Sequence, residues 1–560
     1  MRLALLSLDS TVGDLAGNSA RIRSAAEPLA RTGVPLIVTP ELSLLGYPPR
    51  DLLLRAGLVE RCMQTAHELA ADLARGGAGE SAVLVGTPWP CESGAGISNA
   101  CLVLRGGAVE CVYRKRLLPQ YDVFDEARYF KAGHQPLCIH VGGQRVGLLL
   151  CEDLWRGEDV GEGTYLGDPV ADSVGEGAQL LVAMSASPFC AGKHLQRLRV
   201  LHSAAQRAGR SIAMVNASGA NDDFVFDGGS CLMHPDGSGA FTRPFGDVEL
   251  VTALDVHDRV PDAAVEADEI AQAVVEGIRG YVRKTGHRSA LLGLSGGIDS
   301  ALLAALAVAA LGADAVRGVS MPSQYSSEGS LSDAKDTAKR LGMRSPDLLP
   351  IHDLHALARR HFGASCDLAG LTDENLQSRL RGLTLMTLSN ATGALVLSTG
   401  NKSELAVGYS TLYGDMVGGL APLGDLTKQQ VYAIARRLNA CPQIIGLAKA
   451  PIPAASIDKA PSAELRPGQV DQDSLPPYDM LDAIVEGWVD EERTVEEIAT
   501  RNAFDLSVVQ RWTRAIDAAQ YKRFQAPLIL KVSARAFGPG RRMPLAMRST
   551  PDVRSLGVGN

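Results

Sequence analysis

Three residues in the first half of the chain have types that together can break a carbon–nitrogen bond. They are Glu41 in Thr-Pro-Glu-Leu, Lys115 in Tyr-Arg-Lys-Arg-Leu-Leu-Pro, and Cys151 in Leu-Leu-Cys-Glu-Asp-Leu-Trp. A thiol with an ordinary pKa of about 8.5 must lose its proton before it attacks an amide. Glu41 is the candidate base. Lys115 is suited to hold the oxyanion of a tetrahedral intermediate in a dry pocket. Each has a plain alternative: a helix-start carboxylate, a surface charge, a buried thiol. All three follow apolar, strand-like runs, where α/β folds put chemistry, and together the contexts favour the chemical reading.

A second constellation lies in Ser289-Ala-Leu-Leu-Gly-Leu-Ser-Gly-Gly-Ile-Asp-Ser300. Ala290–Leu294 has strand length, and Ala301–Leu311 has strong helix propensity. A glycine turn between strand and helix points free N–H groups and a helix N-terminus at one spot, which favours phosphate. Asp299 is placed to hold a cation beside it. No Gly-Lys-Ser/Thr follows, so this is not a Walker A loop; an ordinary tight turn is the plain alternative. Further on, Ala394–Ser398 is a strand that delivers Thr399 and Lys402, both suited to nucleotide contact. Glu404 is a second carboxylate able to complete a Mg²⁺ site with Asp299.

The elements around these residues alternate. Strands are expected over 3–8, 34–38, 82–86, 145–151, 180–183 and 212–215, with a hairpin about Gly106-Gly107 and helices over 18–32 and 58–75. That pattern predicts an α/β sandwich. The polar, proline-bearing stretch 254–265 reads as a linker, giving domains 1–258 and 259–560. A helix over 266–285 then leads to the phosphate loop. The serine-rich run 322–332 reads as a loop and 333–341 as a helix. The Pro/Gly-rich stretch 461–478 is long for a structureless loop in a compact domain.

At 560 residues, 46% hydrophobic and 21% charged, the chain has globular composition and too much length for one core. A net charge of −8 argues against broad binding to nucleic acid or anionic membrane. No apolar run approaches the roughly 18 residues of a membrane span. Ten cysteines without a C-x-x-C pair fit reduced thiols, in a cytoplasmic setting, better than disulfides or zinc.

The first domain resembles the nitrilase superfamily, in which Glu, Lys and Cys cooperate to cleave carbon–nitrogen bonds. Other glutaminase designs do not fit, since residue 2 is Arg and no Gly-x-Cys-x-Gly elbow is present. The phosphate loop resembles that of ATP pyrophosphatases. The long phrase Ser398-Thr-Gly-Asn-Lys-Ser-Glu-Leu-Ala-Val-Gly-Tyr-Ser-Thr-Leu-Tyr-Gly-Asp415 resembles NAD synthetases in particular. So do the segments at 118–130, 185–189 and 222–230, which are similar to glutamine-dependent NAD synthetases. The resemblance implies a nitrilase-like α/β sandwich followed by a Rossmann-like parallel-sheet domain. It implies a ligase that amidates deamido-NAD⁺ through an adenylate, with ATP, Mg²⁺ and L-glutamine, and a homo-oligomer.

Residue by residue, the resemblance puts Tyr121, Ser187 and Lys193 on glutamine. It puts Gly293, Leu294, Ser295, Gly296, Gly297, Ile298, Asp299, Ser300 and Thr399 on ATP, and Asn375, Glu404 and Lys522 on deamido-NAD⁺. Glu126 is a possible second carboxylate near the thiol, and 461–478 a lid. Gln120, Ala183 and Asn221 depart from the family's usual residues. Two other readings stay open: a stand-alone hydrolase whose second domain senses nucleotide, and a non-catalytic assembly protein. Turnover of glutamine without an ATP-dependent product would favour the first; the intact residues above argue against the second.

Overall fold

The structure, a computed structural model, describes residues 1–155, 165, 167–246 and 248–547. It divides into two units, Met1–Ala264 and Val265–Asn560. The exchange of hydrogen bonds between Gly239 and Asp258 keeps the start of the expected linker in the first unit.

Among the described residues, the first unit has fourteen strands: β1 (Arg2–Leu6), β2 (Leu36–Val38), β3 (Ala82–Pro90), β4 (Ile97–Arg105), β5 (Ala108–Arg114), β6 (Cys138–Val141), β7 (Gln144–Leu150), β8 (Leu180–Ser185), β9 (Ser211–Asn216), β10 (Ser218–Asn221), β11 (Phe224–Asp227), β12 (Cys231–Met233), β13 (Gly239–Phe241) and β14 (Glu249–Ala253). One sheet runs β14-β1-β2-β3-β4-β5 and the other β13-β12-β9-β8-β7-β6. The central strands β1, β2, β3 and β7, β8, β9 are parallel, and the outer strands of each sheet antiparallel. Alternation along each strand explains the layering. Leu3, Leu5, Leu148, Leu150, Val182 and Met184 meet between the sheets. Ala4, Leu6, Val83 and Val85 face the helices Leu15–Arg31 and Leu58–Leu73, while Leu149, Leu181 and Ala183 face Lys193–Ala208. Both faces of each sheet are therefore buried, so these strands read as unbroken apolar runs. Each buried aliphatic side chain contributes about 1.5–3 kcal/mol.

The second unit carries β15 (Ala290–Gly293), β16 (Val316–Ser320), β17 (Asp347–Leu348), β18 (Leu395–Val396), β19 (Leu420–Ala421) and β20 (Leu528–Ile529). Four of them form a parallel sheet in the order β17-β16-β15-β18. The chain leaves β15 toward β16 and returns on its other side as β18. That reversal opens a crevice at the carboxyl ends of the strands, where open α/β sheets bind ligands. The helix Ile298–Leu311 is buried nearly all round, which accounts for its apolar sequence.

Two expectations need correction here. The helix expected from residue 333 begins at Glu328, inside the serine-rich run. Ser327 is its N-cap, accepting from the Ser330 N–H, so these serines start a helix rather than form an open loop. Lys402 does not face a nucleotide site. Its side chain is buried, bonded to Asp490 Oδ1 at 2.7 Å and paired with Asp425 Oδ1 at 3.0 Å. Among the described residues, no helix is long and apolar enough to cross a membrane.

Candidate active sites

Three strand ends assemble the first site. Glu41 follows β2, Lys115 directly follows β5, and Cys151 directly follows β7 on the facing sheet. Cys151 opens a short 3₁₀ turn with φ +40°, a left-handed conformation uncommon for a non-glycine residue and found mostly where function over-determines the backbone. Ser185 Oγ donates to its Sγ at 3.3 Å.

Lys115 is sealed from solvent between two carboxylates, 2.7 Å from Glu41 Oε1 and 2.9 Å from Glu126 Oε1. Asn99 Nδ2 donates to Glu41 Oε1 at 2.7 Å, the Ala186 N–H to Oε2 at 3.2 Å, and Tyr47 OH to Glu126 Oε1 at 3.1 Å. Burial pulls the Lys115 ammonium down, but the charges of Glu126 and Glu41 more than offset it and hold its pKa well above the ordinary value. Burial raises the Cys151 thiol, Glu41 adds to the rise, and Lys115 opposes it. Burial also lifts Glu126 to about 7, with Lys115 opposing and Glu41 adding. The resting site thus holds a neutral thiol beside a fixed cation, with a second carboxyl that titrates near neutrality.

Tyr121, Ser187 and Lys193 ring this centre in different ways. Tyr121 OH lies 3.2 Å from Glu152 Oε2, and Tyr165 OH donates to Glu152 Oε1 at 2.5 Å. The Ser187 N–H donates to Asn216 Oδ1 at 2.8 Å, fixing the strand end that supplies the Ala186 amide to Glu41. Lys193 is the first residue of its helix, its Nζ 5.8 Å from the Phe124 ring centroid. Glu152 was not among the sequence candidates. It is 2% exposed beside the nucleophile, an acceptor suited to an ammonium. Of the departures, Asn221 donates to the Ser10 and Tyr47 carbonyls, and Ala183 is buried in β8.

The second site is a cavity of about 300 Å³ at the carboxyl ends of β15 and β16. Gly293, Leu294, Ser295, Gly297, Ile298, Asp299, Ser300, Thr399 and Glu404 line it. Gly296 shapes the loop instead. It sits at φ +85°, and a Cβ there would lie 2.2 Å from the Ser330 carbonyl. Lys428 is the residue the sequence reading missed. Its Nζ donates to Asp299 Oδ2 at 2.7 Å and Glu404 Oε1 at 3.1 Å. Asn401 Nδ2 donates to Asp299 Oδ1 at 3.0 Å. Burial raises Glu404 to about 7, Lys428 opposing and the charges of Asp299 and Asp471 adding.

Asp299 and Glu404 converge on one ammonium at a cavity wall, and no group of three or more His, Cys, Asp or Glu able to hold a metal occurs among the described residues. Two convergent carboxylates beside a phosphate loop fit Mg²⁺, which takes one or two of them with phosphates and water. From the stretch expected as a lid, Pro461–Leu465 and Asp471 line the cavity, and Glu464 accepts from Ser330 Oγ at 2.7 Å. Asn375 and Lys522 do not line the cavity but meet at one neighbouring loop. Asn375 Oδ1 accepts from Thr411 Oγ1 at 2.6 Å, and Lys522 Nζ donates to the Gly408 and Ser410 carbonyls at 2.7 Å.

Comparisons with known proteins agree with this two-site architecture. A carbon-nitrogen hydrolase family model matches residues 2–254, and an NAD synthase model matches 270–526. The chain is 40% identical to a glutamine-dependent NAD(+) synthetase of Synechocystis, over 98% of this chain and 99% of the relative. It is 41% identical to one of Xylella fastidiosa, over 98% of each. Among solved structures, the glutamine-dependent NAD+ synthetase of Acinetobacter baumannii in complex with ADP superimposes with TM-score 0.75 at 34% identity, covering 98% of this chain and 99% of that one. The Cytophaga hutchinsonii protein, at 20% identity and TM-score 0.80, shares the fold.

Proposed function

The chain belongs to the glutamine-dependent NAD(+) synthetases, and on that premise we propose how its two sites divide the reaction. It is a ligase that amidates deamido-NAD⁺ to NAD⁺ with ATP and glutamine, giving AMP, diphosphate and glutamate. The observation that carries this reading is the coexistence, in one chain, of a sealed Glu41–Lys115–Cys151 site and a phosphate-loop cavity.

At the first site, Glu41 takes the thiol proton and Cys151 sulfur attacks the carboxamide carbon of glutamine. Lys115 holds the oxyanion. Glu41 returns the proton as ammonia leaves, then takes one from the water that attacks the thioester and passes it to the Cys151 sulfur as the C–S bond breaks and glutamate is released. Tyr121, Ser187 and Lys193 hold the amino acid, and the Glu152 carboxyl, which accepts from the Tyr121 and Tyr165 hydroxyls, suits its ammonium.

At the second site, the loop Gly293–Ser300 and Thr399 bind ATP, with Lys428 as an added cation on the phosphates. Asn375, Glu404 and Lys522 bind deamido-NAD⁺. Its nicotinate carboxylate attacks the α-phosphate and diphosphate leaves; ammonia from the first site then attacks the adenylate carbonyl and AMP leaves. Asp299 and Glu404 would hold Mg²⁺, which supplies charge neutralisation at the phosphates when bound. Lys428 must then give up at least one of its two carboxylate partners.

We also read the protein as a cytoplasmic homo-oligomer that binds neither nucleic acid nor membrane. Ten free cysteines suit a reducing compartment. Leu354, Leu357, Phe362, Leu371, Leu383 and Met386 are exposed on two consecutive helices, an apolar surface of the kind that subunits cover. The test of the function is product stoichiometry: one NAD⁺, AMP, diphosphate and glutamate per turn supports it, and glutamate without NAD⁺ or AMP refutes it.

A further inference from the structure

We propose that Asp153, two residues after the nucleophile, is a positioning residue that fixes the lysine-bearing strand end against the cysteine-bearing one. This rests on the glutaminase reading of the first site. Asp153 is 1% exposed. Its Oδ1 accepts the Arg116 N–H at 3.1 Å and the Leu117 N–H at 3.0 Å, immediately after Lys115. Its Oδ2 accepts the Leu150 N–H at 2.9 Å, immediately before Cys151, and Tyr113 OH at 2.7 Å, two residues before Lys115. One carboxylate thus satisfies backbone donors from both strand ends, which belong to different sheets.

The chemistry requires a carboxylate there. All four partners donate, and an ionised carboxyl is the side chain that offers only acceptors on both atoms. Tyr113 OH can reverse and accept from an amide; the three backbone N–H groups cannot. In Asp153→Asn, the amide oxygen keeps the Arg116 and Leu117 donors and the NH₂ turns toward Tyr113. The Leu150 N–H then loses its acceptor, and the segment carrying Cys151 is released from the segment carrying Lys115. The reacting atoms tolerate little of this, since a displacement of about 1 Å costs about 10²-fold in rate.

The Cys151 thiol separates positioning from bulk stability. The largest charge effects on Cys151 come from Glu41, Lys115 and Glu152. Lys115 alone of these favours the thiolate. If Asp153 holds Lys115 in place, its loss weakens that help and moves the thiol titration up. Removing the negative charge of Asp153 by itself favours the thiolate and moves the titration down. The two causes have opposite signs.

The experiment uses the full chain. Glutamine- and ammonium-driven NAD⁺ formation are measured for wild type, Asp153→Asn and Asp153→Glu. The pH profile of iodoacetamide alkylation is read at the Cys151 peptide by mass spectrometry. For Asp153→Asn we expect glutamine-driven kcat to fall about 10²-fold, with the KM for glutamine within about 3-fold and ammonium-driven synthesis unchanged. The alkylation midpoint should move up. Asp153→Glu keeps the charge but adds a methylene between the strand ends. It too should lose kcat and move the midpoint up, and it decides the question if Asp153→Asn does not fold. Wild-type kcat in either folded variant, a loss confined to KM, or a midpoint that falls or stays would overturn the proposal. Failure of the underlying reading looks different: wild type itself would then release no glutamate.

Discussion

Both sites contain a buried lysine held between two carboxylates, yet the two trios are built for opposite tasks. Lys115 is 0% exposed and its partners Glu41 and Glu126 are 1% and 5% exposed. Lys428 is 2% exposed, but Asp299 and Glu404 are about a fifth exposed on a cavity wall. In each, one glutamate is raised to about 7 by burial, with its lysine opposing. The sealed trio keeps its ion pairs out of water, so beside the thiol it trades only the protons that Glu41 carries. The open trio can trade its internal ion pairs for a metal and phosphates. Access to solvent, rather than residue type, separates a preset electrostatic site from a ligand-exchangeable one.

Removing each lysine tests that contrast most severely. Lys115→Ala leaves two sealed carboxylates uncompensated, so unfolding of the first unit should cost about 3–5 kcal/mol less, and glutamine turnover should disappear. Calorimetry and a glutamate assay check this. Lys428→Ala exposes its partners to water that already reaches them. Stability should drop by only about 1–2 kcal/mol, while ammonium-driven synthesis falls about 10²–10³-fold. Equal stability losses for the two would erase the distinction.

A smaller effect is expected from Gly296→Ala. Its Cβ would meet the Ser330 carbonyl at 2.2 Å in a left-handed backbone, which should destabilise the second unit by about 1–3 kcal/mol. The KM for ATP should rise, with no change in Cys151 alkylation. Smallest is a pH effect. Glu126 rises from an ordinary 4.5 to about 7 in the fold, so the folded state keeps a proton that the unfolded state releases. Its contribution is complete below about pH 4.5 and is lost as pH rises to about 7, a slope on the order of 1 kcal/mol per pH unit. Glu126→Gln should remove that slope from thermal unfolding of the first unit. The matching slope from Glu404 should shrink when ATP and Mg²⁺ occupy the open site.

Much of this was legible in the sequence because chemistry at strand ends leaves a local mark. Glu41 and Cys151 follow apolar strands, Lys115 follows an alternating, half-exposed one, and Ser295–Ser300 joins a strand to a helix. The two-sided burial of the parallel strands was visible in their unbroken apolar runs. Lys428 was not legible as a site residue. Thr427 and Gln430 form a capping box, so the lysine reads as an ordinary first-turn residue. A cation at a helix N-terminus opposes the dipole, and that mismatch was the available signal. It does not suffice, because Lys402 occupies the same helical position and turns instead to Asp425 and Asp490. Which of two first-turn lysines faces the cavity depends on long-range packing. Asp153 escaped for a similar reason: its acceptors are claimed by donors up to 40 residues away, the Tyr113 hydroxyl the farthest of them.

The account stands most directly on a comparison of donors. NAD⁺ formation from deamido-NAD⁺ and ATP should be measured for wild type and Cys151→Ala, with glutamine and with ammonium. The account predicts that the variant loses the glutamine-driven reaction and keeps the ammonium-driven one. A variant that still uses glutamine would contradict Cys151 as the nucleophile. Loss of both reactions would contradict the division of labour between a sealed thiol site and an open nucleotide site.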